Sequence, residues 1–343
     1  MESSLAPIRH PAPPLVLPAV GTPWLALRRP GSLYAKCKRH GASGFGYGST
    51  AEDVTAGLDL SGKTILVTGV TSGLGEETAR VLALRGARIV GLARTAEKAR
   101  EAMRTLPNAP VPVACDLADL ATVRAAVATV QALGVKLDAL ICNAGIMALP
   151  ELEQRHGYEL QFFTNHVGHF VLVTGLVDTL ADNGRVVMLS SNAHADVRPA
   201  GIEFDNLSGE RQYDSRNYGQ SKLANLLFAK ELAKRFVGTD KTANAVHPGV
   251  IQTNLGRYMA GWLQTVVAIG FWVMGPLFLK TAGQGAATQC YAAVHPAAAA
   301  ANGAYFVDSN VAVPSAHAQD AALATKLWEE TERIVASLRP ASA

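Results

Sequence analysis

From residue 59 the chain alternates two textures. Short, mostly apolar runs come at residues 63–68, 87–93, 111–115, 137–142, 185–190, 242–247 and 304–307, and they predict strands buried on both faces. Between them, apolar residues recur every third or fourth position and predict helices. The first runs through Ala79, Val81, Leu82 and Leu84 to Gly86, and others cover 95–106, 120–134 and 159–180. A further helix passes through Leu223, Leu226, Leu227, Ala229 and Leu232, and two more cover 284–293 and 320–338. Repeated strand–helix units predict an α/β fold, a doubly wound parallel sheet with helices on both faces and right-handed crossovers. With no internal repeat, residues 57–343 are expected to form one domain.

The turn after the first strand reads Gly69-Val-Thr71-Ser72-Gly73-Leu74-Gly75 and leads directly into a helix. Strand, glycine turn and helix together are the setting of a dinucleotide-binding Rossmann unit. Glycines permit a tight turn and close backbone approach to a pyrophosphate, whose charge then meets the positive end of the helix. At the end of the second strand, where an NAD site places an acid against the ribose 2′-hydroxyl, the sequence reads Ala93-Arg94-Thr95. An arginine without a neighbouring acid suits a 2′-phosphate, so NADP(H) is favoured and NAD(H) remains open.

Tyr218 and Lys222 stand four residues apart on a helix and share a face. An ammonium beside a phenol favours the phenolate, and this predicts a tyrosine pKa below its usual value of about 10. Ser190 and Ser191 close the fifth strand, at the sheet edge where open α/β folds bind ligands. A strand-end capping role fits Ser190 better than Ser191.

Composition narrows the rest. The 343 residues are 49% hydrophobic and 17% charged, a globular balance. Of the net charge of +3, the first 50 residues carry +5 and the remainder about −2, so the body offers no basic surface for nucleic acid. Prolines at 7, 11, 13, 14, 18, 23 and 30 interrupt that basic segment, and residues 1–56 are expected to be a disordered tail. A cytoplasmic location follows, with an organelle-targeting role for the tail left open. Cys37, Cys115, Cys142 and Cys290 lack ligand spacing, so reduced thiols are expected, with neither a disulfide framework nor a metal site. His166 and His169 lie three apart with no third ligand in view and read as structural. Residues 261–279 are nearly all apolar but broken by Gly270, Gly275 and Pro276. They read as a substrate flap, about 255–282, ahead of contact with a membrane surface or a true span.

Taken together, Thr68-Gly-x-x-x-Gly73-x-Gly75, Asn143-Ala144-Gly145 and Tyr218-x-x-x-Lys222 resemble the short-chain dehydrogenase/reductase family over roughly residues 59–310. Thr164-Asn165-His166-Val-Gly168-His169-Phe170 resembles the motif of its retinol-dehydrogenase-like group. The 26 residues between Ser191 and Tyr218 are about twice the usual family interval, and an insertion of this kind is shared with that group and with WW-domain oxidoreductases. The resemblance implies an alcohol–carbonyl oxidoreductase in which Tyr218 is the general acid/base and Ser191 binds the substrate oxygen. Lys222 would hold the cofactor ribose, and Asn165 would support a water relay. It also implies that Asp116-Leu117 lies along the adenine and that Asn143, Ala144 and Gly145 support the cofactor. Pro248-Gly249-Val250, with Thr253, would close over the nicotinamide. The substrate would be hydrophobic, such as a retinoid, steroid or long-chain alcohol or ketone, and a homo-oligomer is compatible with the family. The alternative is a cofactor-binding regulatory protein without turnover.

Overall fold

The computed structural model of the protein describes residues 40–251 and 279–338. The expected tail before residue 40, Thr253 and nearly all of the apolar stretch 261–279 lie outside the described residues.

The main sheet is built from β1 (Thr64–Thr68), β2 (Arg88–Ala93), β3 (Val111–Ala114), β4 (Leu137–Cys142), β7 (Leu180–Leu189), β8 (Thr242–His247), β9 (Tyr305–Val307) and β10 (Asn310–Ala312). Two short strands, β5 (Gln154–Arg155) and β6 (Tyr158–Glu159), form a separate hairpin. The order across the main sheet is β10-β9-β8-β7-β4-β1-β2-β3, parallel except for β10. This is the doubly wound arrangement expected from the sequence, with its reversal of direction between β1 and β4. Each face buries its own core. Phe162, Phe163, Val167, Leu172 and Leu223 pack on one side, and Val81, Leu82, Ala286 and Cys290 on the other. The three described cysteines are free and buried.

Three expectations are corrected. Disorder as far as residue 56 does not hold for residues 40–56. Thr50 and Asp53 form a capping box that starts a short helix, Ala51–Val54, whose Ala51 and Val54 are buried. Phe45 meets Tyr291 and His295 edge-on, so this segment gains an apolar partner that its own composition does not reveal. The fifth strand begins at Leu180, because a register shift against β4 lets the chain rejoin the sheet before Arg185. And β9 does not end the sheet: Asp308 and Ser309, both at positive φ, turn the chain back into β10.

The helix expected over 159–180 is broken into four pieces, the last of them a 3-10 turn at Val177–Thr179. Leu160–Phe162 is α-helical, Phe163–Val167 is a π turn, and Gly168–Leu176 resumes the α-helix. A Cβ on Gly168 would stand 2.3 Å from the Leu117 carbonyl oxygen, so only glycine lets the helix approach the loop after β3. The C-terminal helix, Ala321–Ser337, lays Trp328 against Phe228 and Phe170, over the helix Arg216–Arg235.

Candidate functional site

The site gathers where the parallel strands end. After β1, Gly69 adopts φ +75°, and a Cβ on Gly75 would lie 2.2 Å from the Gly69 carbonyl oxygen and 2.5 Å from Asn143 Nδ2. The turn therefore closes on itself only because Gly75 lacks a side chain. Asn143 Nδ2 donates to the Thr68 carbonyl at 2.9 Å and Ala144 N–H donates to Thr68 Oγ1 at 2.9 Å, tying the turn after β4 to the end of β1. Gln289 Nε2 reaches both Asn143 Oδ1 and Thr78 from the far helix, a buttress with no sequence signature. The helix Gly73–Leu84 follows Ser72, which makes no side-chain cap to its first turn. Thr71 and Ser72 are exposed, and Leu74 packs under Gly285. A side-chain-free cradle opening onto a helix N-terminus fits the diphosphate of a dinucleotide.

Around this cradle, Arg94 is exposed immediately after β2. Asp116 Oδ1 accepts the Ala118 N–H at 3.0 Å, so the carboxylate shapes the approach to the next helix, and Leu117 is buried beside it. After β8, Pro248 and Gly249 are partly buried, Val250 is exposed, and the Val250 carbonyl accepts the Lys280 N–H.

The second cluster forms on the other side of β4. Asn165 is wholly buried in the π turn. Its Oδ1 accepts Ile146 N–H at 2.8 Å, and its Nδ2 donates to the Ile146 carbonyl at 2.9 Å and to Ser221 Oγ at 3.0 Å. With both ends of the amide engaged, Asn165 clamps the loop after Gly145 to the Tyr218 helix. A Cβ on Gly145 would come within 3.0 Å of Asn165 Oδ1 and 3.4 Å of Lys222 Nζ, which brings all three to one spot. Lys222 is 5% exposed and donates to the Leu189 carbonyl at 3.2 Å. Ser190 Oγ donates to the Lys222 carbonyl at 2.8 Å and seats the helix on the end of β7.

The two serines exchange their expected secondary roles. Ser191 is the one that caps, accepting Ala193 N–H at 3.2 Å, while Ser190 braces the helix. The cap occupies an oxygen lone pair and leaves the Ser191 hydroxyl proton to the site, where Ser191 favours the ionised form of the Tyr218 phenol.

The ionisation expected of Tyr218 is corrected as well. Burial pushes its phenol up to about 12, and the Ser191 hydrogen bond only partly offsets this. The ammonium of Lys222 stands 5.7 Å from the Tyr218 ring centroid and bonds a backbone carbonyl, so it does not hold the phenol down. Burial also lowers Lys222 itself, to about 8. Desolvation is the largest effect on both groups and in both cases favours the neutral form.

Sequence reasoning missed the framework around these groups. His194 Nδ1 lies 2.6 Å from the Ser191 carbonyl and His194 Nε2 accepts Ser315 N–H at 3.1 Å, gripping the backbone of Ser191. In the insertion, Arg198 is 5% exposed and bonds Glu203 at 2.7 Å, Asp214 at 3.1 Å and Asn217 Oδ1 at 3.2 Å, beside Tyr218. Tyr213 OH reaches across to the Leu149 carbonyl at 3.0 Å. A buried arginine in a polar insertion is readable as a residue, but its partners are not.

The chain is similar to known proteins over most of its length. The family model described as short chain dehydrogenase matches residues 63–205. Short-chain dehydrogenase TIC 32 B, chloroplastic, of Brassica napus is 41% identical over 313 residues, covering 87% of this chain and 96% of its own. Retinol dehydrogenase 14 of Homo sapiens is 36% identical over 341 residues, covering 93% and 96%. Among solved structures, an uncharacterised protein from Mycobacterium Paratuberculosis matches with TM-score 0.65 at 33% identity, over 84% of this chain and 98% of that one. A short chain dehydrogenase from Burkholderia cenocepacia in complex with NADP matches with TM-score 0.57 at 26% identity, over 72% and 96%.

Proposed function

The chain belongs to the short-chain dehydrogenase/reductase family and is an NAD(P)-dependent oxidoreductase acting on CH–OH groups; from that premise we propose that it prefers NADP(H) and interconverts an alcohol and a carbonyl on a hydrophobic substrate. The observation that carries the reading is the convergence of Ser191, Tyr218, Lys222 and Asn165 beside the cradle turn at Gly145.

In this reading Gly69, Thr71, Ser72, Gly73, Leu74 and Gly75 hold the diphosphate, Arg94 the 2′-phosphate, and Asp116 and Leu117 the adenine. Asn143, Ala144 and Gly145 line the same groove, with Pro248, Gly249, Val250 and Thr253 on the nicotinamide side. A bound nicotinamide supplies or takes up the hydride at the substrate carbon. In reduction the neutral Tyr218 phenol gives its proton to the carbonyl oxygen, and the Ser191 hydroxyl donates a hydrogen bond to that same oxygen. A phenol raised to about 12 is neutral and holds a proton to give, while a value so far above working pH makes it a weaker acid than an unburied phenol. Lys222 provides a cation for the ribose. Asn165 fixes the loop after Gly145, and so the distance between cofactor and proton donor, and supports the relay through Lys222.

Replacing Tyr218 with Phe removes the proton donor and retains the ring. We expect kcat/KM for carbonyl reduction to fall by at least about 100-fold, the lower range for general acid catalysis. Activity within about threefold of wild type would end the assignment. For the cofactor, Arg94→Ala is expected to weaken NADPH and leave NADH nearly unchanged, read by fluorescence titration. Loss of one charge-assisted contact predicts about tenfold or more in dissociation constant. Equal titrations of both cofactors in wild type and variant would remove the NADP preference.

The retinol dehydrogenase relatives and the apolar residues 261–279 support a lipophilic substrate class. No helix among the described residues is long and apolar enough to cross a membrane. The chloroplastic names of the Brassica relatives, with the basic first 50 residues, support an organelle address. Cell fractionation tests both: recovery of all the protein in the cytosol would discard membrane contact and organelle address together.

A further inference from the structure

His169 is a fully buried polar side chain that the reading above leaves without a task. Both of its ring nitrogens have a partner: Nδ1 is 2.8 Å from the Asn165 carbonyl oxygen, and Nε2 is 3.0 Å from Thr68 Oγ1. A carbonyl can only accept, so Nδ1 carries the proton and Nε2 accepts the Thr68 hydroxyl. That hydroxyl oxygen in turn accepts Ala144 N–H at 2.9 Å. The direction of the whole chain follows: Ala144 N–H to Thr68, Thr68 O–H to His169, His169 N–H to Asn165.

Its ends are the two halves of the site. Thr68 is the last residue of β1, directly before the glycine turn, and Ala144 lies in the turn after β4. Asn165 sits in the π turn, where the helix bonding is displaced to the fifth residue, as Gly168 N–H to Phe163 carbonyl shows. π turns are frequently found at functional sites, and here one carbonyl of the turn is satisfied by a side chain. Burial lowers His169 to about 4, so the imidazole is neutral at working pH and its single proton stays on Nδ1.

We propose that His169 is a positioning residue, a one-proton bridge that ties the cofactor-side end of β1 to the backbone carbonyl of Asn165 and keeps cofactor cradle and proton-handling cluster in one register. The proposal rests on the reading of Asn165 and Lys222 as parts of the reacting site.

Two substitutions split the bridge. His169→Asn places an amide donor near the Nδ1 position, keeping the Asn165 bond and losing Thr68. His169→Gln reaches the Nε2 position, keeping Thr68 and losing Asn165. Loss of a single buried hydrogen bond predicts effects of about five- to tenfold. For His169→Asn we expect the NADPH dissociation constant to rise by about that factor, with a smaller fall in kcat. For His169→Gln we expect the reverse, kcat falling by about that factor while the dissociation constant stays within about twofold. Thr68→Val removes the hydroxyl at nearly constant shape and with it the acceptor of Ala144 N–H, so it should raise the NADPH dissociation constant more than His169→Asn does; should the histidine variants fold poorly, a change within about twofold for Thr68→Val overturns the proposal. A side chain that only fills the core would give both histidine variants the same profile and a lowered urea midpoint alone, and that result overturns the proposal. The binding arm needs no turnover. If wild type reduces no carbonyl, or Tyr218→Phe reduces it as well, the catalytic reading fails, while equal dissociation constants for His169→Asn and His169→Gln fail the bridge.

Discussion

Lys222 shows how a residue's neighbours outweigh its type. Four-residue spacing brings it to the face of Tyr218, but the ammonium is buried and bonds the Leu189 carbonyl, and desolvation brings its pKa to about 8. Its charge is present below that value and is lost as pH rises through it. A cation that holds the cofactor should therefore release it over the same interval. The NADPH dissociation constant of the free enzyme is expected to be flat from pH 6.5 to 7.5 and to rise by several-fold by pH 9.5. A flat titration across that range would remove Lys222 as a cofactor cation. Tyr218, raised to about 12, does not titrate in this window, so an alkaline limb near 8 reports the lysine.

Among the elements, the insertion between Ser191 and Tyr218 is the part whose character changes most on folding. Its polar residues read as a solvated loop, yet Arg198 is buried and joins Glu203, Asp214 and Asn217 at the base of the Tyr218 helix. Gly219 in that helix faces the same segment, with the Asp196 carbonyl oxygen 2.3 Å from where a Cβ would stand. Removing one member of such a network strands the charge of the others. Arg198→Met is expected to cost about 2–4 kcal/mol, read from the urea midpoint, and to lower kcat more than it raises KM, because Asn217 adjoins Tyr218. A midpoint unchanged within about 0.5 kcal/mol would show the insertion to be an ornament on the surface. The Tyr218 helix itself is legible in advance, since its stripe through Leu223, Leu226 and Leu227 repeats with helical period and is buried as that period requires.

Acid should unfold the whole molecule early. Burial lowers His166 to about 3 and His169 and His247 to about 4, against an ordinary value of 6.5. As pH falls from 6.5 toward 4, the unfolded chain takes up protons that the folded chain refuses, so stability is intact above 6.5 and is lost through that interval. Each histidine contributes about 1.4 kcal/mol per pH unit there. Glu76 and Glu159 work the other way, since burial raises their carboxyls, but His194 and His295 are lowered as well, so five rings oppose two carboxyls. Urea midpoints should therefore fall steeply between pH 6.5 and 5, and His169→Asn should shallow the slope by about one proton. Equal midpoints at pH 7.5 and 5 would contradict the burial of these rings. His166 also shows why burial is hard to foresee: its Nε2 meets Thr331 Oγ1 at 2.9 Å, on a helix 165 residues away in sequence.

What the sequence by itself determined is what has short range. Strands β1, β4 and β8 stand where their apolar runs end, the glycine turn follows β1 directly, and Tyr218 and Lys222 share a helical face, because period and turn chemistry act over a few residues. The doubly wound class follows from the strand–helix alternation, while the order of the strands is read from the structure. Tertiary structure decided the rest: that residues 40–56 are held by Tyr291 and His295, that Ser191 rather than Ser190 caps, that a π turn presents Asn165, and that Tyr218 is neutral. A pKa, a hydrogen-bond direction or an apolar contact depends on which distant atoms exclude water from a group, and only the packed chain determines that.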